Sequence, residues 1–275
     1  MTTTNPWKYV ELDKGELKGN PYLNPAKKEN GKKPTEEPAP NGSPTITNAA
    51  NFLVLENLVC VGADKKVFER HDRLYVAKDV ERDAQKSNID FTSYKAASHF
   101  EKKDLFLPSF ALTCNIVAAL YKNRSNADIK KVLDQYKDHG AGYGWHAQNT
   151  VIDWGKKRII HYPHDKDFPE AGGVDKINIS ASGRSRTVFS FVTNDDFGDV
   201  LLEEALKNQQ FSKYIRNLTG LRDPPVLVEI GKYFGQPANV WVADDPKEED
   251  YTAAAWFGCN SNSFNLDTYN DLNSS

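Results

Sequence analysis

The sequence has little cysteine and no long apolar run. Its three cysteines, Cys60, Cys114 and Cys259, are widely spaced and include no Cys-x-x-Cys pair, which argues against a disulfide framework or a thiolate zinc site. We therefore expect three buried free thiols in a reducing compartment, the cytoplasm. No apolar run approaches the ~18 residues that span a bilayer, and residues 1–7 lack the basic and apolar regions of a secretory signal. The chain is expected to be soluble, unexported and without membrane contact.

An excess of positive charge is also missing. Lys+Arg number 35 against 38 Asp+Glu, for a net charge of −3, whereas phosphate neutralisation needs a large basic surplus or a basic face. The one basic cluster, residues 27–33, is diluted by Glu29, so nucleic-acid binding is disfavoured. Apolar residues make up only 39% of the chain, but 14 Phe, 12 Tyr and 5 Trp supply enough burial for a folded core.

The first 44 residues differ in composition from the rest. They hold seven of the 14 prolines, and residues 24–44 contain no apolar side chain larger than alanine apart from proline. Such a segment cannot bury enough surface to offset the entropy of ordering, so in isolation it should be extended. We therefore predict an extended Pro/Lys/Glu-rich arm over residues 1–50 and a single globular domain over residues 51–275.

Hydrophobic periodicity in the domain predicts both strands and helices. Residues 67–76 are expected to be extended, while the apolar runs 51–62 and 226–234 are compatible with either a strand or a helix. Helices are predicted after Ser109 and from Ser125 to Gly140, the second opening on an approximate capping box. The predicted fold class is α+β: a mainly antiparallel sheet built from hairpins, packed with several helices and preceded by the arm.

The strongest strand pattern is a hairpin over residues 150–162. Gly155-Lys156 at its centre predicts a type II′ turn, which sets Ile152 opposite Ile159 and Asp153 opposite Arg158. Apolar residues then fall on both faces, so the sheet should be covered on both sides. A second hairpin is predicted over residues 177–192. A helix is predicted to follow from about residue 194 and to end at Gly220.

Three residues could form a nucleophilic site. Cys114 near a helix start, followed by His146 on a strand, resembles the order in papain-like cysteine hydrolases. Extending the hairpin register places Asp165 opposite His146, where a carboxylate could orient the imidazole. The alternative is that Cys114 packs in the core, His146 lies at the rim, and Pro163 ends the ladder before Asp165 can pair.

Two further clusters allow weaker hypotheses. Tyr143, Trp145, Trp154 and Tyr162 could line a ligand groove, although aromatic residues on one hairpin more often belong to the core. The segment 161–170 holds two histidines and several carboxylates, but its spacing does not bring them together, and a hydrated loop is the better interpretation. We therefore expect no metal and no cofactor.

No motif determines a reaction. The leading hypothesis is a binding or assembly protein, not an enzyme, whose N-terminal arm engages a protein partner or a symmetry mate to form an oligomer. The alternative is a cysteine hydrolase with Cys114 as nucleophile, His146 as base and Asp165 as orienting residue.

Overall fold

A computed structural model gives the structure of the protein. It describes residues 10–11, 44–80, 93–103, 105–138, 144–167, 184–192, 199–241, 252–260 and 262–269. Within these ranges the fold is α+β with mainly antiparallel sheets, which confirms the predicted class. No helix in the same ranges is long and apolar enough to cross a membrane.

The described secondary structure divides into eleven strands and six helices. The strands are β1 (Val10–Glu11), β2 (Thr45–Asn48), β3 (Phe52–Val61), β4 (Val67–Ala77), β5 (Gly144–Asp153), β6 (Arg158–His161), β7 (Thr187–Ser190), β8 (Asp199–Leu201), β9 (Ala238–Trp241), β10 (Thr252–Cys259) and β11 (Phe264–Tyr269). The helices are α1 (Ser93–Glu101), α2 (Phe110–Lys122), α3 (Ala127–Lys137), α4 (Leu202–Ala205), α5 (Gln209–Thr219) and α6 (Val226–Phe234). A short 3₁₀ turn covers Asp165–Asp167.

Four strands form an N-terminal antiparallel sheet in the order β1-β4-β3-β2. The ambiguous run at 51–62 is the strand β3, which buries Leu53 and Leu55 completely. β2 falls within the residues assigned to the arm, yet it pairs with β3 from Thr45↔Glu56 to Asn48↔Leu53. The prediction of one domain after residue 50 stays a prediction.

The other seven strands form a second sheet in the order β7-β6-β5-β10-β11-β9-β8, antiparallel except for the parallel pair β9–β11. Its β5–β6 hairpin has the predicted register, with Ile152 opposite Ile159 and Val151 opposite Ile160. These four side chains are at most 1% exposed, so the sheet is covered on both faces here as expected.

The turn of this hairpin differs from the prediction. Left-handed backbone is found at Lys157, with φ of 51°, and not at Gly155, so the type II′ assignment is wrong. The physical reason is that Asp153 accepts the backbone N–H of Lys156 at 2.8 Å and fixes a longer loop. Asp153 lies opposite Arg158 as predicted and pairs with it at 2.6 Å, and the Asp153 residue is only 4% exposed.

The helices follow the sequence with two corrections. α2 begins after the Ser109 cap as predicted, and the run 226–234 is the helix α6. α3 is capped by Asn126, whose side chain accepts two backbone N–H groups, and not by Ser125. Residues 199–201 are a strand and not part of the helix predicted from residue 194, because they pair with β9. The first strand of the predicted second hairpin lies outside the described residues.

One continuous cluster of buried apolar side chains joins the two sheets through α2. It includes Leu53 and Leu74 of the N-terminal sheet, Leu112 of α2, and Ile152 and Phe257 of the larger sheet. α2 is therefore central, with ten of its residues buried. Its N-terminus points to the place where β4 approaches the larger sheet, and the polar cluster described next is built there.

Candidate functional site

A β-bulge in β4 brings two successive side chains toward the larger sheet. The ladder passes from Cys60↔Glu69 to Val61↔Val67, so Phe68 is an extra residue on β4. The Phe68 ring stacks on the His161 ring at 5.3 Å between centroids, and the Glu69 carboxylate reaches Tyr162. Bulges commonly redirect side chains in this way beside functional sites.

Glu69 is the centre of a polar cluster. Its Oε1 accepts hydrogen bonds from the Tyr162 hydroxyl and from Nε2 of His71, both at 2.8 Å. Its Oε2 accepts the Ser109 hydroxyl at 3.1 Å. The side chains of Glu69 and His71 are only 11% and 9% exposed. A nearly buried carboxylate thus holds together residues from three separate segments of the chain.

The N-terminus of α2 supports this carboxylate. Ser109 Oγ accepts the backbone N–H of Leu112 while its hydroxyl donates to Glu69, and the Ser109 N–H donates to the Tyr162 hydroxyl at 3.3 Å. The positive end of the helix dipole therefore faces a negative charge. Tyr162 has φ of 52°, a left-handed conformation that is strained for an aromatic residue, and the bonds of its hydroxyl help to hold it there.

Charges around the cluster favour an ionised Glu69. Burial alone would raise the pKa of this carboxyl, but the hydrogen bonds from His71 and Tyr162 and the charges of His71 and Arg184 lower it below the usual range. Burial also raises the pKa of Tyr162, and the nearby carboxylate adds to the rise, so Tyr162 remains a neutral donor. The Arg184 guanidinium stacks over the Phe106 ring at 3.3 Å from its centroid and supplies the balancing positive charge.

A second buried chain of hydrogen bonds lies beside the cluster. Thr150 Oγ1 accepts the Phe110 N–H and contacts Nδ1 of His161 at 2.9 Å, and Nε2 of His161 lies 3.0 Å from the Asn217 carbonyl oxygen. The carbonyl can only accept, so Nε2 carries the proton and Nδ1 accepts from the Thr150 hydroxyl. Burial lowers the pKa of His161. Both nitrogens are therefore occupied, and this imidazole has a structural role.

Cys114 lies in a closed environment. Its side chain is fully buried, and burial raises the pKa of its thiol well above the usual range with no charged neighbour to lower it. His146 is 2% exposed and packs against the rings of Tyr136 and Phe257. A reactive thiolate needs the opposite conditions. The proposed nucleophile stays a prediction that these contacts do not support.

The register argument for Asp165 is wrong. The β5–β6 ladder ends at Thr150↔His161, because Tyr162 turns into the left-handed region and Pro163 follows it. Asp165 then begins the 3₁₀ turn, while His146 pairs with Phe257 of β10. The hairpin therefore does not place Asp165 opposite His146.

The aromatic residues predicted to line a groove are placed differently. Trp154 is 1% exposed and packs against the rings of Phe191 and Tyr214. Tyr162, 3% exposed, belongs to the Glu69 cluster. Trp145 lies on β5, and Tyr143 falls outside the described residues. The ligand platform stays a prediction, and neither Trp154 nor Tyr162 offers it an open surface.

The described ranges contain no group of three or more His, Cys, Asp or Glu side chains placed to hold a metal ion. In the segment 161–170, Asp167 forms a bidentate pair with Arg186 at 2.6 Å for each bond, and residues 168–170 lie outside the description.

No protein-family model, curated protein or solved structure matches the chain.

The sequence prediction missed the Glu69 cluster. Its members are distant in the chain, so their convergence depends on the docking of β4 against α2. One local signal was present: Glu69 and His71 are two residues apart in a predicted strand and so share a face, where an acid and an imidazole can pair. A second signal was Ser109, which precedes the apolar run of α2 and served only to place the start of that helix.

Proposed function

We propose that the protein is a non-enzymatic binding or assembly protein whose N-terminal arm engages a second copy of the same chain. The proposal depends on one observation, the pairing of Val10↔Val76 and Glu11↔Tyr75. This pairing puts a segment of the arm on the outer edge of β4. A sheet edge presents unpaired N–H and C=O groups, and adding a strand is a common way for proteins to bind a peptide segment.

The pairing is short for the strand that receives it. β1 meets only two of the eleven residues of β4, and no other described strand covers that edge. So short a strand adds little stability by itself. When two copies exchange this segment, β1 makes with the β4 of the other copy the same contacts that it makes with its own β4. Such an exchange is a low-cost route to dimers.

The length of the connection also permits exchange. β1 and β2 lie at opposite edges of the four-stranded sheet, a separation of about 14 Å for three strand spacings. Residues 12–44 connect them, and a chain of that length spans about 110 Å when fully extended. The arm can therefore lie on its own β4 or on that of a neighbour. The intramolecular pairing is the monomeric form of the same contact.

The first test is the molar mass by light scattering after size exclusion. The expected result is a dimer for the full chain and a monomer after deletion of residues 1–43, which spares β2. The double variant Val10→Pro/Glu11→Pro removes two N–H groups from β1 and should also be monomeric. Its matched control, Thr3→Pro/Thr4→Pro, should stay dimeric. A full chain that is monomeric at all concentrations would remove the proposal.

A cysteine pair tests the contact directly. Facing residues in an antiparallel pair have Cα separations that suit a disulfide, so Glu11→Cys and Tyr75→Cys are made as separate single variants. After mixing and mild oxidation, a disulfide between the two different chains is expected. Failure to form it, when the double variant forms the bond within one chain, would mean that the arm binds only its own β4.

The cysteine-hydrolase alternative is not proposed, because the burial of Cys114 leaves it without a supporting contact.

A further inference from the structure

We propose that α1 is a detachable cover on the larger sheet, which opens locally while the rest of the protein stays folded and thereby exposes Asn149. This inference is independent of the arm. It begins from the side chain of Asn149, a residue that is 1% exposed. Within the part of the chain that the structure describes, its Oδ1 and Nδ2 are both buried and neither has a hydrogen-bond partner. A buried polar group without a partner is uncommon in folded proteins and lowers their stability.

Asn149 lies on the side of β5 that faces away from α2. Its two neighbours in the strand, Gln148 and Thr150, both bond to α2. Gln148 Oε1 accepts the Thr113 hydroxyl, and Thr150 Oγ1 accepts the Phe110 N–H at 2.9 Å. Since successive side chains of a strand point to opposite faces, the Asn149 amide points to the other face of the sheet.

The helix α1 covers this other face. It contacts β5, and its buried side chains Ala96, Ala97 and Phe100 are not part of the continuous core around α2. Val151 is buried outside that core as well, and it shares a face of β5 with Asn149. The Asn149 amide is therefore enclosed in an apolar layer between α1 and the sheet.

The attachment of α1 is weak. Of the three apolar side chains that it buries in the described residues, two are alanines, which remove little surface from water. By contrast, α2 buries ten residues. Opening of α1 also returns the Asn149 amide to water, and this offsets part of the apolar burial that is lost. A helix of nine residues is not stable in isolation, so α1 should lose its backbone hydrogen bonds when it detaches.

Native-state hydrogen exchange tests the proposal, because amides that exchange by local opening depend less on urea than amides that require global unfolding. Exchange of the peptides that cover α1 and α2 is followed by mass spectrometry at low urea concentrations. The α1 amides should be protected at least about hundredfold less than the α2 amides, with little dependence on urea. Equal protection of the two helices, with the same urea dependence, would overturn the proposal.

Two variants test whether Asn149 is the group that opening exposes. Asn149→Leu keeps the branched shape of the side chain and should slow exchange of both helices by about tenfold, or about 1.4 kcal/mol, because the closed form no longer buries an unpaired amide. The matched control is Ile159→Val in the core on the α2 side, which stays covered when α1 opens and should speed exchange of α2 alone. The proposal fails if Asn149→Leu does not slow exchange of α1, or if Ile159→Val speeds both helices equally.

Discussion

Replacing Glu69 by glutamine tests whether the carboxylate joins the two sheets. The amide is nearly isosteric, but one of its two polar atoms becomes a donor and faces the donors of Tyr162, His71 or Ser109. Each hydrogen bond to a charged group contributes about 1.5–3 kcal/mol, and the loss of one partner in a buried charge network costs about 3–5 kcal/mol. Since the carboxylate keeps some exposure, we expect Glu69→Gln to lower the free energy of unfolding by about 2–4 kcal/mol.

The lowered pKa of Glu69 determines how its contribution to stability changes with pH. The pKa of Glu69 is lower in the folded protein than in the unfolded chain, so its contribution to stability is fully present above the unfolded pKa of about 4.3. The contribution is lost as the pH falls through the lower folded value. The difference in unfolding free energy between wild type and Glu69→Gln should therefore be present at neutral pH and should shrink as the pH falls below about 4.

Urea unfolding followed by circular dichroism at several pH values measures both effects. The matched control is Glu56→Gln on the neighbouring strand β3, whose carboxylate pairs with Arg73 at 3.6 Å with both side chains well exposed. That pair should contribute only ~0–1 kcal/mol. Equal losses for the two variants would refute the reasoning, as would a gap between wild type and Glu69→Gln that does not change with pH.

Three other predictions use the same unfolding assay or a simple labelling experiment. A left-handed backbone usually costs a non-glycine residue ~1–2 kcal/mol. Gly220→Ala should lower the free energy of unfolding by well over this amount, because φ is 60° and the new Cβ would lie 2.9 Å from the Cβ atoms of Ala111 and Cys60. Its control, Gly235→Ala, should show only the backbone penalty, because φ is 75° and no atom lies within 4 Å of the new Cβ. Asp153→Asn should cost about 1–3 kcal/mol, since its nearly buried carboxylate accepts from Arg158 and from the Lys156 N–H, and a loss near zero would contradict this account. All three thiols should resist alkylation by iodoacetamide at pH 8 until the protein unfolds, because each thiol is buried and its pKa is raised. Rapid labelling of Cys114 in the native protein would contradict this and favour the hydrolase hypothesis.

Local patterns in the sequence predicted what depends on neighbouring residues. The register of the β5–β6 hairpin, the start of α2 after Ser109 and the end of α5 at Gly220 each follow from a few adjacent residues. The predicted turn type was wrong because the Asp153 side chain accepts a hydrogen bond from the Lys156 N–H and fixes a longer loop. For residues 226–234 the helix and the strand could not be separated, since a short apolar run fits either.

The candidate site could not be predicted from the sequence for a different reason. Glu69 lies on β4, Ser109 precedes α2, and Tyr162 follows β6. The three side chains come into contact because the bulge at Phe68 orients Glu69 toward the other two. Nothing in the local sequence of any one segment specifies the other two. The strained φ of Tyr162 is likewise a property of the assembled cluster, not of a glycine-like residue.

The strand order of the larger sheet has a consequence for the growing polypeptide. β10 and β11 are the last described strands in the chain, yet they lie in the middle of the sheet, between β5 on one side and β9 on the other. The order β7-β6-β5 can therefore form early during synthesis, but β5 keeps an open edge until residues 252–259 have emerged. That edge carries buried residues such as Ile152 and Ala147, so it is the place where an incomplete chain is most prone to aggregate. Only after the final hairpin inserts are the two halves of the sheet connected.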